Sequence, residues 1–292
     1  MFHGAAVWRE PQAQSIARHA GLTLTAAQAN AKTHPTFPFA SSHEQAMHAA
    51  SDSASAPSPE VSIIIPVYNE EAILQSAVVD LIDRLQAFDW SYELILTENG
   101  SSDGTVAVAE QLQTRFAQLQ LLRLGEPNYG KALQRAIAQS RGRYVLCDEI
   151  DLCDTDFYTR ALALLRAGDA ELVVGSKLLQ GASDERPFMR HVGSQVINGM
   201  LRLTLGFRGT DTHGLKAFQA DRLKPVAARC LVDKDLFASE LVIRAEREGV
   251  RIQEIPVRVL EKRPPSIHLL RRVPNVLKNL GKLVIAIRFR AS

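Results

Sequence analysis

Five carboxylates crowd the stretch "YVLCDEIDLCDTDFY", where Asp148, Glu149, Asp151, Asp154 and Asp156 stand directly behind a short apolar run. Like charges a few ångströms apart repel and raise one another's pKa, so the cluster needs a cation, a substrate or open solvent to offset it. Three more polar clusters follow apolar runs in the same way: "PVYNEE", "TENGSSDGT" and "GEPNYGK". Each alone reads equally well as turn and cap chemistry, with Ser102 or Asp103 capping one helix and Asp154 and Asp156 serving as acids at the start of another. Four together point to a ligand site, because the opposite connections, such as "QAFDWS" and "QSRGR", carry no comparable set of carboxylates and amides.

The elements that must position these clusters alternate. "VSIIIPVYN" is a β-rich run broken by Pro66, and the helix after it places Ile73, Leu74, Ala77, Val78, Leu81, Ile82, Leu85 and Phe88 on one face. "YELILTEN", "LQLLRLG" and "RYVLCDE" read as further strands, separated by the helices "DGTVAVAEQLQTRF" and "YGKALQRAIAQS". Short apolar strands separated by helices imply a mostly parallel sheet covered on both faces, an α/β fold. Ligands of such sheets bind beyond the carboxyl ends of the strands, which is where all four clusters fall.

Composition sets outer limits. A chain of 292 residues with 46% apolar content can bury one sizeable core. Cys147, Cys153 and Cys230 match neither a zinc knuckle nor a redox pair, so reduced thiols and a cytoplasmic setting are expected. No apolar run is long enough to span a bilayer and no secretory signal is evident, so a soluble or peripheral protein is expected. Residues 1–59, rich in Ala, Ser, Gln and His and ending in "SDSASAPSP", read as a disordered extension with at most a short helix near residues 10–30. From Arg258 to Arg290 nine basic residues face the single acid Glu261, so this stretch carries +8 and leaves −6 for the rest of a chain whose total is +2. That asymmetry fits either a solvated basic face or an anionic partner surface, and no nucleic-acid partner is expected.

In order, "VSIIIPVYNEE", "TENGSSDGT", "NYGKALQRAI" and "GRYVLCDEID" resemble the four successive blocks of the family 2 glycosyltransferases of GT-A fold, over about residues 61–262. "VVGSK", "RGTDTHGLKAF", "DLFASELVIRAEREGVRIQEIPV" and "EKRPPS" look most like the dolichol-phosphate mannosyltransferase and polyprenyl-phosphate glycosyltransferase branch. The resemblance implies a Rossmann-like αβα sandwich over residues 60–262 and a nucleotide-sugar donor, while the charge and spacing of residues 263–292 read as a basic amphipathic segment. The resemblance also implies a divalent cation, Mg²⁺ or Mn²⁺, held at an Asp-X-Asp whose matching positions here are Glu149, Ile150 and Asp151. Glu for Asp keeps the charge but lengthens the reach. Asp148 points to the opposite face if the strand persists, which suits a structural role.

The same resemblance puts Pro66, Tyr68 and Glu70 in the nucleoside pocket, with Glu98 and Asn99 replacing its usual acids. Lys131 follows a Gly at which backbone can approach closely, which lets its ammonium meet the nucleotide or diphosphate. The alternative for Lys131 is a solvated first-turn lysine. On the acceptor side Asp211 and Glu240 match acidic positions. For His213 the alternatives are metal ligation, a diphosphate contact or a turn. Lys177, Arg190 and Arg263 match basic positions that face an acceptor phosphate in the polyprenyl-phosphate branch. A lipid phosphate needs no base, whereas a hydroxyl acceptor calls for Asp211, His213 or Glu240.

Within "PNVLKNLGKLVIAIRFR", Val276, Leu277, Leu280, Leu283, Val284 and Ile287 recur at helical spacing between basic residues. This stripe covers either the core, a partner or an anionic membrane surface. Two other function classes stay in view. A nucleotidyltransferase lacks its Gly-rich basic loop here. A silent nucleotide-sugar binder shares every feature but turnover.

Overall fold

The computed structural model describes residues 58–184, 188–259 and 269–289. The expected disordered extension falls, but for its last two residues, outside them, and so does Arg263.

The first half alternates as its apolar runs require. β1 (Val61–Val67), β2 (Tyr92–Glu98), β3 (Leu119–Arg123) and β4 (Tyr144–Cys147) are separated by α1 (Glu71–Leu85), α2 (Thr105–Arg115) and α3 (Tyr129–Gln139). The second half adds α4 (Thr155–Ala167), β5 (Leu172–Ser176), β6 (Ser183–Asp184), α5 (Phe188–Leu205), β7 (Lys216–Gln219) and α6 (Ala220–Ala228). A 3-10 turn (Lys234–Leu236), α7 (Phe237–Arg247), β8 (Ile252–Pro256), β9 (Arg258–Val259) and α8 (Leu269–Phe289) complete it. Seven strands form one sheet in the order β3-β2-β1-β4-β7-β5-β8, parallel except where β7 runs against β4 and β5. The α/β sandwich with a mostly parallel sheet is therefore present. β6 and β9 pair separately as a short ribbon.

β2 and β3 extend the sheet to one side of β1, and β4 lies on the other. The strand order reverses between β1 and β4, the kind of switch point at which α/β sheets open a ligand crevice. β4 also stops at Cys147 opposite Ile64, so β1 continues beyond its neighbour. The Asp148 amide donates to Ile64 O and the Asn99 amide to Val67 O, so alternate β1 residues serve β4 and β2. Pro66 falls on the β4 side past the end of β4, where its missing N–H leaves no ladder bond unmade.

Strand alternation divides the interior in two. Val61, Ile63, Ile65 and Val67 pack with α1, α2 and α4, while Ile64, Ile95 and Val145 pack with the helices of the other face. Leu280, Leu283, Ala286 and Ile287 of α8 are buried in that second core. Most of the stripe considered as a membrane face thus covers the domain itself, since one apolar stripe suits either task. Leu277 and Ile285 remain half exposed beside the surface residues Lys278, Lys282 and Arg288. Among the described residues no helix is long and apolar enough to cross a membrane.

Candidate active site

The loops after β1, β2 and β3 are tied together by their own polar groups. Asn69, at φ 53°, donates its amide to Ser101 Oγ at 3.1 Å and accepts the Ser102 amide on Oδ1 at 2.8 Å. The Glu70 amide donates to Thr105 Oγ1 at 2.7 Å, and Glu71 accepts the Gly104 amide at 2.9 Å. Gly100 sits at φ 73°, and a Cβ there would meet Pro127 N at 2.7 Å, so the turn admits only glycine. Glu98 accepts the Ser101 amide, and Asn99 accepts the Asn128 amide. Asn128 in turn caps α3 through the Lys131 amide at 3.1 Å and holds Asp233 at 2.8 Å.

Glu98 and Asn99 are nearly covered beneath these loops, while Tyr68 stands 45% exposed. Pro66 and Glu70 are half-buried at the same edge. Lys131 is exposed on the first turn of α3 and pairs with Glu126 at 2.7 Å, the solvated-lysine alternative.

The acid cluster behind β4 divides by partner. Asp148 turns inward and accepts the Glu149 amide at 2.6 Å, the Asp154 amide at 2.9 Å and Tyr158 Oη at 2.6 Å, fastening the turn. Burial pushes its pKa up to about 6, against the pull of those three donors. Asp154 caps α4 through the Phe157 amide at 2.9 Å, and Asp156 pairs with Arg160 at 2.8 Å. Glu149 and Asp151 remain without such a structural task among the described residues.

The packed surroundings of Glu149, then Asp151 and Asp148, push its pKa up to about 7 against Lys177 and Lys216. The Glu149 side chain keeps a solvent-facing side that tempers the desolvation, so the neighbouring carboxylates are the firmer cause of the rise. A cation would relieve that repulsion. Among the described residues no set of three or more acidic, His or Cys side chains is gathered into a metal cage. Two hard carboxylates fit a Mg²⁺ or Mn²⁺ ion whose other ligands come from water and a substrate diphosphate.

Facing these acids is a buried cationic wall. Lys177 Nζ meets Asp211 Oδ2 at 2.6 Å, with the lysine side chain 8% and the aspartate 1% exposed. Asp211 Oδ1 also accepts the His213 amide at 2.9 Å. Burial alone would raise the Asp211 pKa, but Lys177 and the His213 amide overcome it and hold it below the usual aspartate value. Glu254 fixes this loop by accepting the Thr210 amide at 2.7 Å and the Asp211 amide at 3.1 Å. His213 Nδ1 lies 3.1 Å from Thr212 Oγ1, which in turn lies 2.8 Å from Ser239 Oγ on α7.

Lys216 on β7, opposite Cys147 in register, is a site residue that sequence reasoning missed. Its Nζ donates to Gly214 O at 2.7 Å, and burial lowers its pKa despite Cys147, Asp211 and Glu149 nearby. The available signal was a lysine inside the apolar run "GLKAF", a costly position unless charge awaits it. Tyr129, also unselected, lines a narrow recess with Glu149 and Lys216.

Glu240 is placed differently from expectation. It is fully buried, with Oε1 bound by Arg244 at 2.7 Å and Oε2 by the amides of Leu231 at 2.9 Å and Val232 at 2.6 Å. Both oxygens are committed, so the carboxylate pins a loop to α7 and is not offered to a substrate as a base. The i,i+4 spacing to Arg244 was the readable sign. Arg190 lies on α5, in a part of the helix whose side chains are not described.

Known proteins share the fold that carries these residues. The family model "Glycosyl transferase family 2" matches residues 62–217. The chain belongs to glycosyl transferase family 2. The matched span holds all four loops, Glu149, Asp151, Lys177, Asp211 and Lys216, and ends before α6, α7 and α8. Glycosyltransferase AglD of Haloferax volcanii is 28% identical over 228 residues, covering 75% of this chain and 36% of that protein. Dolichyl-phosphate beta-glucosyltransferase ALG5D of Trichomonas vaginalis is 28% identical over 218 residues, covering 69% and 66%. The chain thus spans about a third to two thirds of the length of these relatives. Glucosyl-3-phosphoglycerate synthase from Mycobacterium tuberculosis, solved with Mg²⁺ and UDP, superposes with a TM-score of 0.56 at 20% identity, covering 78% of this chain and 79% of that one. The likeness is one of fold, and it makes the sheet described above GT-A-like.

Proposed function

We propose that the chain is an inverting hexosyltransferase that takes a sugar from a GDP- or UDP-sugar and gives it to a phosphate-bearing acceptor, a polyprenyl phosphate above all. The observation that carries this reading is the pairing of two uncommitted carboxylates, Glu149 and Asp151, with a buried cationic wall of Lys177 and Lys216 at one edge of the sheet. The dolichyl-phosphate relatives support the choice of acceptor.

Each residue has a physical task in this scheme. Tyr68 offers a ring face, and Pro66 and Glu70 an edge, to the base and ribose. Glu98 and Asn99 shape that pocket through the loops they hold. Glu149 and Asp151 would hold Mg²⁺ or Mn²⁺, which when bound supplies positive charge beside the diphosphate. Lys216, buried and close to Glu149, adds a fixed charge that favours a leaving diphosphate over a neutral group. The acceptor oxygen forms its bond to the anomeric carbon as the bond to the diphosphate breaks, and that electron pair leaves with the nucleotide.

Asp211 bears on the acceptor. Its carboxylate is ion-paired and held below the usual pKa, so it is a weak base. An acceptor that brings its own negative charge needs none. A hydroxyl acceptor would depend on His213, which is the second reading. The outer faces of α5 and α8 suit peripheral attachment to an anionic membrane: neither helix contains an acidic residue, and exposed Val196, Leu203, Leu277 and Ile285 accompany Arg202, Lys278, Lys282 and Arg288.

The test is radiolabelled sugar transfer from a panel of GDP- and UDP-sugars to farnesyl phosphate, with Mg²⁺, Mn²⁺ or EDTA. Metal-dependent transfer to the phosphate is expected. Transfer only to hydroxyl acceptors would move the assignment to the second reading, and tight donor binding with no sugar release would make the chain a silent binder.

A further inference from the structure

A second cavity lies beside the donor crevice, with a volume of about 640 Å³, bounded by the Asp151–Asp156 turn, Gly181, and Pro256–Arg258 at the end of β8 and start of β9. That volume suits a small organic ligand and far exceeds a bare ion. Three arginines line it, and two are already committed. Arg84 donates to Cys153 O at 2.8 Å and pairs with Asp80 at 2.9 Å. Arg160 pairs with Asp156 at 2.8 Å and donates to Pro256 O at 3.0 Å. These contacts stiffen the walls and neutralise Asp156, while Asp154 is engaged in capping α4.

Arg258 differs. Its side chain is exposed and makes no hydrogen bond or ion pair among the described residues, and Asp151 on the same lining likewise makes none. Asp151 belongs to the donor side, so Arg258 is the charge that a second ligand meets. A guanidinium presents a planar fork that binds phosphate through two parallel hydrogen bonds.

We infer that this cavity receives the phosphomonoester group of the acceptor and that Arg258 is its recognition residue. The inference rests on the transferase reading and locates the acceptor within it. Asp151, shared by both spaces, brings the two substrates to one edge. In the transfer, one oxygen of the acceptor phosphate forms the new bond to the anomeric carbon. The bond from that carbon to the diphosphate breaks, its electron pair leaves on the nucleoside diphosphate, and no proton has to move.

Full-length protein, Arg258→Ala and Arg258→Lys are compared by calorimetry with farnesyl phosphate in detergent, with 3-phosphoglycerate and with UDP, and by acceptor KM. Losing a bidentate charged contact should weaken phosphate binding and raise acceptor KM by roughly 10- to 100-fold, with partial recovery in Arg258→Lys. UDP affinity should stay within about twofold of the parent, a difference of ~0.4 kcal/mol. Dependence on Arg258 for farnesyl phosphate alone identifies a lipid headgroup, and for 3-phosphoglycerate a soluble phosphate. Unchanged affinity for both phosphates, with UDP still bound, overturns the assignment and leaves the transferase reading standing. Arg258-dependent phosphate binding without sugar release from any donor leaves the site standing and removes the transferase reading.

Discussion

The two ends of the crevice are held by different physics. On the β1–β2 side, amides and hydroxyls of Asn69, Ser101, Ser102, Thr105 and Asn128 bind neighbouring loops to one another, and nearly every contact is local in type if not in sequence. On the β5–β7 side, buried charges do the holding: Lys177 with Asp211 and Lys216 on Gly214 O, with Glu240 and Arg244 doing the same behind them on α7. A lattice in which amides and hydroxyls satisfy one another and the carboxylates of Glu71 and Glu98 are already bound by amides keeps its shape whatever ligand arrives. A set of buried charges answers to the charge of what arrives, because an incoming anion competes with Asp211 for Lys177. The first arrangement suits a pocket of fixed outline, and the second suits the place where charge moves.

The hardest blow to the buried charges is Glu240→Ala, which strands Arg244 and the amides of Leu231 and Val232 in the interior. Breaking a buried ion pair of this kind costs about 3–5 kcal/mol. Urea unfolding should show a loss of that order. Glu240→Gln keeps an acceptor and should fall between, with turnover per folded molecule nearly intact. Abolished turnover in a well-folded Glu240→Gln protein would restore the carboxylate to catalysis.

Asp151→Asn tests the uncommitted acids instead. The residue sits at a turn, half-buried and without a structural partner among the described residues, so its melting temperature should not change. Turnover should fall roughly 10²- to 10³-fold, about 3–4 kcal/mol at the transition state, as the carboxylate's hold on a cation weakens. Mn²⁺ binding in the presence of UDP, read by paramagnetic relaxation, should weaken in parallel. Full activity in this variant would remove the metal assignment.

The contrast between the ends also explains what could be read from sequence. The four strands and their polar ends follow from local periodicity, and strand alternation was enough to turn Asp148 inward. Pairing that depends on distant segments left no local trace. β7 enters the sheet between β4 and β5 against their direction, so nothing in "GLKAF" itself says that Lys216 will face Glu149. The α8 stripe fails for another reason. Apolar residues at helical spacing look the same whether a core or a membrane covers them, and only the fold chooses.

Acid titration separates the two ends more gently. The folded pKa of Asp211 lies below its unfolded value, so its ion pair contributes fully above the unfolded value, near 4, and is lost as pH falls through the folded one. Each unit between the two values is worth about 1.4 kcal/mol. Wild type should therefore lose stability below about pH 4 more steeply than Asp211→Asn, and the gap between them should narrow toward acid. Parallel curves would mean that Lys177 does not stabilise the carboxylate.

The smallest effect expected is at the outer face of α8. Since Leu280, Leu283 and Ile287 are buried in the domain, only Leu277 and Ile285 of the described apolar residues stand half exposed there, and little apolar area is left to enter a bilayer. Attachment must then rest mainly on Lys278, Lys282 and Arg288, each contributing about 1 kcal/mol near an anionic surface and falling off within a Debye length. Sedimentation with phosphatidylglycerol vesicles should show binding at low salt that is released at high salt. Lys278→Glu and Lys282→Glu should each weaken it by about fivefold or more, the equivalent of ~1 kcal/mol. Binding that persists at high salt would show apolar insertion stronger than two side chains can supply. No binding at low salt would turn the basic face into ordinary solvated surface and favour an acceptor that comes to the crevice from solution.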